Sequence, residues 1–203
     1  MMAQYRDVGG HEGLGDRRYE RYCAAFDRVE HCVAAGYFLE AVALLDSLIW
    51  DRLSSRLGYL KGKAVEINKN AGTICSELIG DSGADGREHD PAFRDVICEI
   101  KSWLVRRNNA VHATAKVFRS DTSEEDFSAI LQSHRQTAID GMNHLQAFDL
   151  LDTKSRAKVG KNPASFPDAF FPKRRSGTSR LAIWSNSISL EGSPDTQRKT
   201  RRK

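Results

Sequence analysis

The sequence predicts an all-α protein, an up-and-down helical bundle of four to five helices followed by a basic, largely disordered C-terminal tail. Three observations predict this fold. Apolar residues recur at the three- and four-residue spacing of amphipathic helices in several long segments. The body shows no alternation of apolar and polar residues of the kind that half-buried strands require. The connections between the predicted helices differ greatly in length, which is typical of a helical bundle.

The first predicted helix follows a glycine-rich arm. Residues 1–16 contain four glycines and no periodicity, so we interpret them as a flexible arm. From Arg17 the apolar residues follow the helical pattern, and Gly36 is a good terminator. The stripe of this helix consists of Tyr19, Tyr22, Cys23, Phe26, Val29 and Val33.

The second predicted helix, from about Tyr37 to Leu60, is apolar on more than one stripe. Such a helix is central in a bundle or packed on two sides. Residues 61–90 are rich in glycine and read as irregular, with a short helix over Thr73–Ile79 inside them. Within the bundle, these features predict a buried second helix followed by a long connection.

Two further helices complete the predicted bundle. Asp90 and Pro91 form a capping residue and a favourable first helical residue, so the third helix runs from Pro91 to about Phe118. The fourth begins after a cap-like acidic segment at 121–125 and runs to about Leu151. Its apolar stripe includes His134, and Gly141 is expected to weaken it locally.

Charge divides the chain into an acidic body and a basic tail. From Lys154 onward there are 13 Lys+Arg and 3 Asp+Glu, a net +10, so the total of +4 leaves −6 for the remainder. We therefore divide the chain into a helical domain at 17–153 and a tail at 154–203. The tail carries basic clusters at 173–175 and 198–203, and it either binds an anionic partner or stays solvated.

The composition argues against metal binding, secretion and membrane insertion. None of the four cysteines lies in a C-x-x-C pair or at a zinc-ligand spacing, so we expect free core thiols, no metal and no cofactor. No apolar run approaches the roughly 20 residues that span a bilayer. The N-terminus lacks the apolar region of a signal peptide. A cytoplasmic protein with no membrane association is therefore expected.

The third predicted helix contains a breach of its own apolar pattern. Between Leu104 and Val111 the stripe positions hold Arg107 and Asn108. An arginine that faces a core is costly unless it is paired or opens onto a solvated cleft. Such breaches often mark functional sites. A structural role for Arg107 remains open, since acidic residues of the second helix could pair with it, namely Glu40, Asp46 or Asp51.

These residues carry a resemblance to a known family. The segment 103–112, with Arg107, Asn108 and His112, resembles the Arg-x4-His signature of HEPN domains, in which a polar residue often follows the arginine. The segments 38–57 and 72–79 are similar to elements of the plasmid-borne HEPN subgroup of unknown function. The resemblance covers about residues 18–152.

The resemblance implies a metal-independent endoribonuclease, a toxin or defence effector that cleaves cellular RNA. His112 would transfer protons, because the unperturbed pKa of a histidine side chain lies near neutrality. Arg107 would bind the phosphate, and Asn108 would hydrogen-bond a phosphate oxygen or orient His112. HEPN domains dimerise, which implies a homodimer with a composite cleft. An antitoxin or regulatory protein is a further partner that the resemblance allows. One subgroup has a regulatory tyrosine where this chain has Thr114, which puts that form of control in doubt.

Several alternatives remain open. Weaker candidates for RNA binding are Arg106, Lys173, Arg174 and Arg175. His112 could be a boundary residue, His134 a satisfied core histidine, and Trp103 a core or interface residue. The alternative function is a catalytically inactive HEPN-like module that binds RNA or a protein partner.

Overall fold

The structure is a computed structural model that describes residues 14–81, 85–114 and 127–159. Over these residues it contains helices and no strand, so the predicted all-α bundle is confirmed there. The helices are α1 (Leu14–Ala35), α2 (Phe38–Lys61), α3 (Ala71–Ile79), α4 (Pro91–Ala113), α5 (Phe127–Ser133) and α6 (Arg135–Lys158).

Helix α2 lies at the centre of the bundle, as its apolar surface predicted. It packs against α1, α3, α4 and α6. Its direction is opposite to that of α4, because Asp46 meets Arg107 while Arg56 lies over Phe93. It runs parallel to α6, because Arg52 contacts Asp149 and Arg56, further along α2, contacts Ser155, further along α6. The C-terminal end of α4 therefore lies at the same end of the bundle as the beginnings of α2 and α6.

Helices α4 and α6 pack closely because a tryptophan on α4 faces a glycine on α6. Trp103 is fully buried, and its indole nitrogen donates to the Thr137 carbonyl at 2.7 Å. A Cβ at Gly141 would lie 2.8 Å from Cζ2 of Trp103. Gly141, which the sequence marks only as a weak point of the helix, therefore makes room for the tryptophan. The interpretation of Trp103 as a core residue is confirmed.

The helix ends largely follow the predicted signals. Gly36 has a φ of 80°, which is the left-handed conformation that favours glycine. The Asp90 carboxylate accepts a hydrogen bond from the Ala92 amide at 3.0 Å, and Pro91 is at the start of α4. These features end α1 at Ala35 and begin α4 at Pro91.

The fourth predicted helix differs from the structure. It is divided at His134 into α5 and α6, so His134 lies between two helices and not on one continuous stripe. Helix α6 continues to Lys158, beyond the predicted domain boundary at 153. The predicted end of the third helix near Phe118, the acidic cap at 121–125 and the tail from residue 160 lie outside the described residues.

One cysteine prediction needs correction. All four cysteines are free, and Cys23, Cys32 and Cys75 are buried, but Cys98 is exposed. Cys98 precedes Arg107 by nine residues, which places it about 180° around α4 from the side that packs on α2. No helix within the described residues is both long and apolar enough to cross a membrane.

Candidate functional site

The predicted signature lies on the last three turns of α4, where Arg107 is directed at α2. Its Nη2 atom is 2.7 Å from Oδ1 of Asp46, and its side chain is only 17% exposed. Nη1 of Arg107 also donates to Oδ1 of Asn108 at 2.6 Å. The pairing of Arg107 with an acidic residue of α2, one of the open alternatives, is therefore present, and the partner is Asp46.

His112 lies at the exposed edge of the same region. It follows Arg107 by five residues and is about 140° around the helix. Both side chains nevertheless lie near enough to one carboxylate to affect its pKa. Burial raises the pKa of Asp46, and the charges of Arg107 and then His112 lower it. The structure therefore joins Arg107, Asn108 and Asp46 in direct contact and places His112 within the electrostatic reach of Asp46.

The surface around this ion pair is open. Asn108, Asn109 and His112 are exposed, and Val111, which the stripe predicted to be apolar core, is 40% exposed. The Nε atom of Arg107 is buried and has no hydrogen-bond partner among the described residues. Because Nε is covered, a phosphate would have to reach the guanidinium through its terminal nitrogens, which already contact Asp46 and Asn108.

Arg106 points to a different neighbour. Its Nη2 atom is 2.9 Å from Oδ2 of Asp140 on α6, and about half of its side chain is exposed. The other oxygen of Asp140 accepts from Nε2 of Gln136 at 2.8 Å. Arg106 thus lies on the α6 side of α4, apart from the Arg107–Asp46 pair. The other weak RNA-binding candidates, Lys173, Arg174 and Arg175, lie outside the described residues.

His134 has a structural partner at the junction of α5 and α6. Its Nε2 atom is 2.8 Å from Oγ1 of Thr114. The Thr114 hydroxyl donates to the Ala110 carbonyl, so it accepts from His134, which fixes the proton on Nε2. Burial lowers the pKa of His134, which favours the neutral ring. This contact ties the end of α4 to the α5–α6 junction and fits the interpretation of His134 as a satisfied, partly buried histidine.

Sequence reasoning missed a second set of charged residues, between α2 and α6 and before α4. This buried ion cluster consists of Arg52, Arg56, Glu88, Asp149 and Asp152. Nε of Arg52 is 2.9 Å from Oδ1 of Asp149, with side chains 2% and 0% exposed. The signal in the sequence was a pair of arginines four residues apart on the long, apolar helix α2, together with two aspartates three residues apart on α6.

The same cluster also encloses Arg56. Its Nε atom is 2.6 Å from Oε2 of Glu88, its Nη1 atom donates to Ser155 at 3.0 Å, and its guanidinium lies 3.9 Å from the centre of the Phe93 ring. The five side chains of the cluster are almost completely buried, so a substrate has no access to them. Elsewhere in the described residues, no group of three or more His, Cys, Asp or Glu side chains is arranged to hold a metal ion.

No protein-family model, curated protein or solved structure matches this chain. The assignment of family and activity therefore depends on the signature residues and on the contacts that they make.

Proposed function

We propose that the protein is a metal-independent endoribonuclease of HEPN type that acts as a toxin or defence effector on cellular RNA in the cytoplasm. The observation that carries this proposal is the ion pair of Arg107 with Asp46 at the end of α4, beside the exposed Asn108 and His112. An arginine beside an accessible histidine suits phosphodiester chemistry.

In this proposal RNA supplies the nucleophile. A base removes the proton of the 2′-hydroxyl, and the 2′-oxygen attacks the phosphorus. The bond to the 5′-oxygen breaks, and an acid protonates that oxygen, which leaves a 2′,3′-cyclic phosphate and a 5′-hydroxyl. His112 takes a proton-transfer role. Arg107 neutralises the charge that develops on the phosphate oxygens. Asn108 binds a phosphate oxygen or orients His112, and Asp46 is the counter-charge of the guanidinium until a phosphate takes its place.

A homodimer would complete the site. Cleavage needs a base and an acid, whereas one signature helix supplies one accessible histidine, His112. The side chains of Arg107 and His112 also leave α4 in directions about 140° apart. Two signature helices facing one another would bring both histidines to one phosphate. Light scattering of the purified chain should then give the mass of a dimer, and a strict monomer would contradict the composite site.

The decisive experiment compares variants of the signature with matched controls on purified protein and total RNA. We expect His112→Ala and Arg107→Ala to lower the cleavage rate by about 10²- to 10⁴-fold, because each removes a group that acts on the reacting phosphate. The controls are His89→Ala, at an exposed position, and Arg94→Ala, on the first turn of α4. Both should cleave normally. Full activity of His112→Ala would refute the assignment.

One observation favours the alternative function, a catalytically inactive HEPN-like module that binds RNA or a protein partner. The Arg107 guanidinium is mostly covered and already lies against a carboxylate. A wild-type chain that binds RNA without cleaving it, in the same assay, would support this alternative.

A further inference from the structure

A group of lysines surrounds the connection between α2 and α3, at the end of α2 far from Asp46. We call Lys61, Lys63 and Lys69 the lysine loop. These three residues line a cavity of about 430 Å³ together with Ala64, Val65 and Glu66. The volume is in the range of small-ligand sites. Within a body that is acidic as a whole, this is a local concentration of ammonium groups.

The backbone of this connection is held in place by several contacts. The Trp50 indole nitrogen donates to the Lys69 carbonyl at 2.7 Å. Val65 is buried, and Gly62 takes the left-handed conformation with a φ of 65°. The side chain of Asn70 accepts from the Thr73 amide at 2.8 Å and so caps α3. The lysines are therefore presented by an ordered connection whose geometry exists before any ligand binds, which lowers the cost of binding.

The lysines outnumber the carboxylates that compensate them. Glu77 contacts both Lys61, at 3.0 Å, and Lys69. Glu66 is the second nearby carboxylate, so three ammonium groups face two negative charges. Burial lowers the pKa of Lys69, as do the charges of Lys61 and Lys63, while Glu66 opposes the effect. The mutual repulsion of the lysines would be relieved by an added anion.

We propose that the lysine loop binds a phosphate group. Lysine ammonium groups act as point charges for phosphate oxygens. The Glu77 carboxylate would compete with a bound phosphate for the lysines, because it already contacts two of the three. The phosphate would come from an RNA backbone or from a free phosphate compound. Fifteen residues of α2 separate Lys61 from Asp46, a span of about 22 Å, so the loop is distinct from the candidate catalytic site.

The Trp50 indole provides a local probe, since it donates directly to Lys69. The test is a titration of the full-length chain with inorganic phosphate. Binding is monitored through the ¹H–¹⁵N NMR signals of the tryptophan indole groups, and Trp→Phe variants assign each signal to its residue. We expect a saturable shift of the Trp50 signal and no shift for the buried Trp103. A second titration uses a single-stranded 2′-O-methyl RNA, which lacks the 2′-hydroxyl nucleophile and is not cleaved. If the Trp50 shift saturates at a lower concentration of RNA than of inorganic phosphate, the phosphate group bound by the loop comes from an RNA backbone. If inorganic phosphate saturates the shift at the lower concentration, the ligand is a free phosphate compound.

Variants that remove a positive or a negative charge from the lysine loop should change phosphate binding in opposite directions. We expect Lys69→Gln to weaken phosphate binding at least about threefold and Glu77→Gln to tighten it by a similar factor, because the two changes remove opposite charges from one site. Lys154→Gln, an exposed lysine on α6, is the matched control and should have no effect. Absence of a saturable Trp50 shift, or equal binding in all variants (an adventitious ion only), would overturn the proposal. Since no cleavage is measured, this result is independent of the proposed ribonuclease activity.

Discussion

Two arginine–carboxylate groups connect α2 to its neighbours, and they differ in their access to solvent. In the buried ion cluster, Arg52 and Asp149 are 2% and 0% exposed. In the second group, which we call the rim ion pair, Arg107 and Asp46 are 17% and 31% exposed. The same residue types thus occur once inside the bundle and once at its open end.

This difference shows what a breach of an apolar pattern can and cannot indicate. Arg52 and Arg56 violate the pattern of α2 more severely than Arg107 violates that of α4, yet they are enclosed by their own partners. A charged residue on an apolar stripe therefore indicates a polar contact within the protein, and does not by itself indicate a functional site. The rim ion pair differs because the exposed Asn108 and His112 lie beside it.

The largest expected effect separates the two groups by stability. Arg52→Met leaves Asp149 buried without its nearest cation and should lower the free energy of unfolding by about 3–5 kcal/mol. Arg107→Met removes a pair that is partly solvated and should cost at most about 1 kcal/mol. Urea denaturation at neutral pH measures both values.

The control for this prediction is Arg52→Lys, which keeps the charge but loses the forked geometry and should give an intermediate cost. If Arg52→Met and Arg107→Met lower the free energy of unfolding by the same amount, the buried ion cluster and the rim ion pair do not differ in their contribution to stability. The Arg107–Asp46 contact would then be a structural element of the bundle, as the alternative function requires.

A smaller effect is expected from pH. Burial raises the pKa of Asp149 to about 7, with Arg52 lowering it and Asp152 and Asp51 raising it. An unfolded aspartate has a pKa of about 3.9. The folded state therefore binds the proton more tightly, so the contribution of Asp149 to stability is greatest at low pH and is lost as pH rises through 7.

The measurement is the unfolding free energy of wild type and Asp149→Asn between about pH 5 and 8. Over that interval the wild type should lose roughly 2–3 kcal/mol relative to the variant, since asparagine mimics the protonated acid and does not titrate. The charged groups that act on Asp149, namely Arg52, Asp152 and Asp51, are the same in both proteins. Parallel pH profiles would show that Asp149 is ionised throughout.

The fold was largely predictable from the sequence because its signals are local. Helical periodicity located α1, α2 and α4, and the Asp90–Pro91 signal gave the start of α4. The division of the fourth predicted helix at His134 was not predictable, since it accompanies a contact with Thr114 from a distant part of the chain. The role of Gly141 was missed for the same reason, because only tertiary packing places Trp103 beside it.

The candidate site was predictable only in part. The unusual position of Arg107 was visible in the apolar pattern, and Asp46 was one of three acids named as its partner. The choice among those acids required the relative positions of α2 and α4, which periodicity does not give. The buried ion cluster was missed because a helix apolar on two sides conceals which of its polar residues face inward.

The smallest expected change in stability belongs to Asp46→Asn, which also tests the rim ion pair as an RNA-binding site. The substitution keeps the shape of the side chain, and its cost to stability should stay below about 1 kcal/mol. Arg107 then loses its counter-charge within the chain and should bind a phosphate more strongly. We expect the Kd for a 2′-O-methyl RNA, which is not cleaved, to fall by about three- to tenfold, measured by fluorescence anisotropy at a fixed salt concentration.

Asp140→Asn is the matched variant, because it releases the neighbouring Arg106 instead. Its effect on RNA binding should be smaller, since the more exposed Arg106 is already screened by solvent. If Asp46→Asn weakens RNA binding, the carboxylate is needed to position Arg107 and does not compete with phosphate. If it destabilises the chain as much as Arg52→Met does, the pair holds α4 on α2, and the exposed His112 then has no arginine poised to act with it.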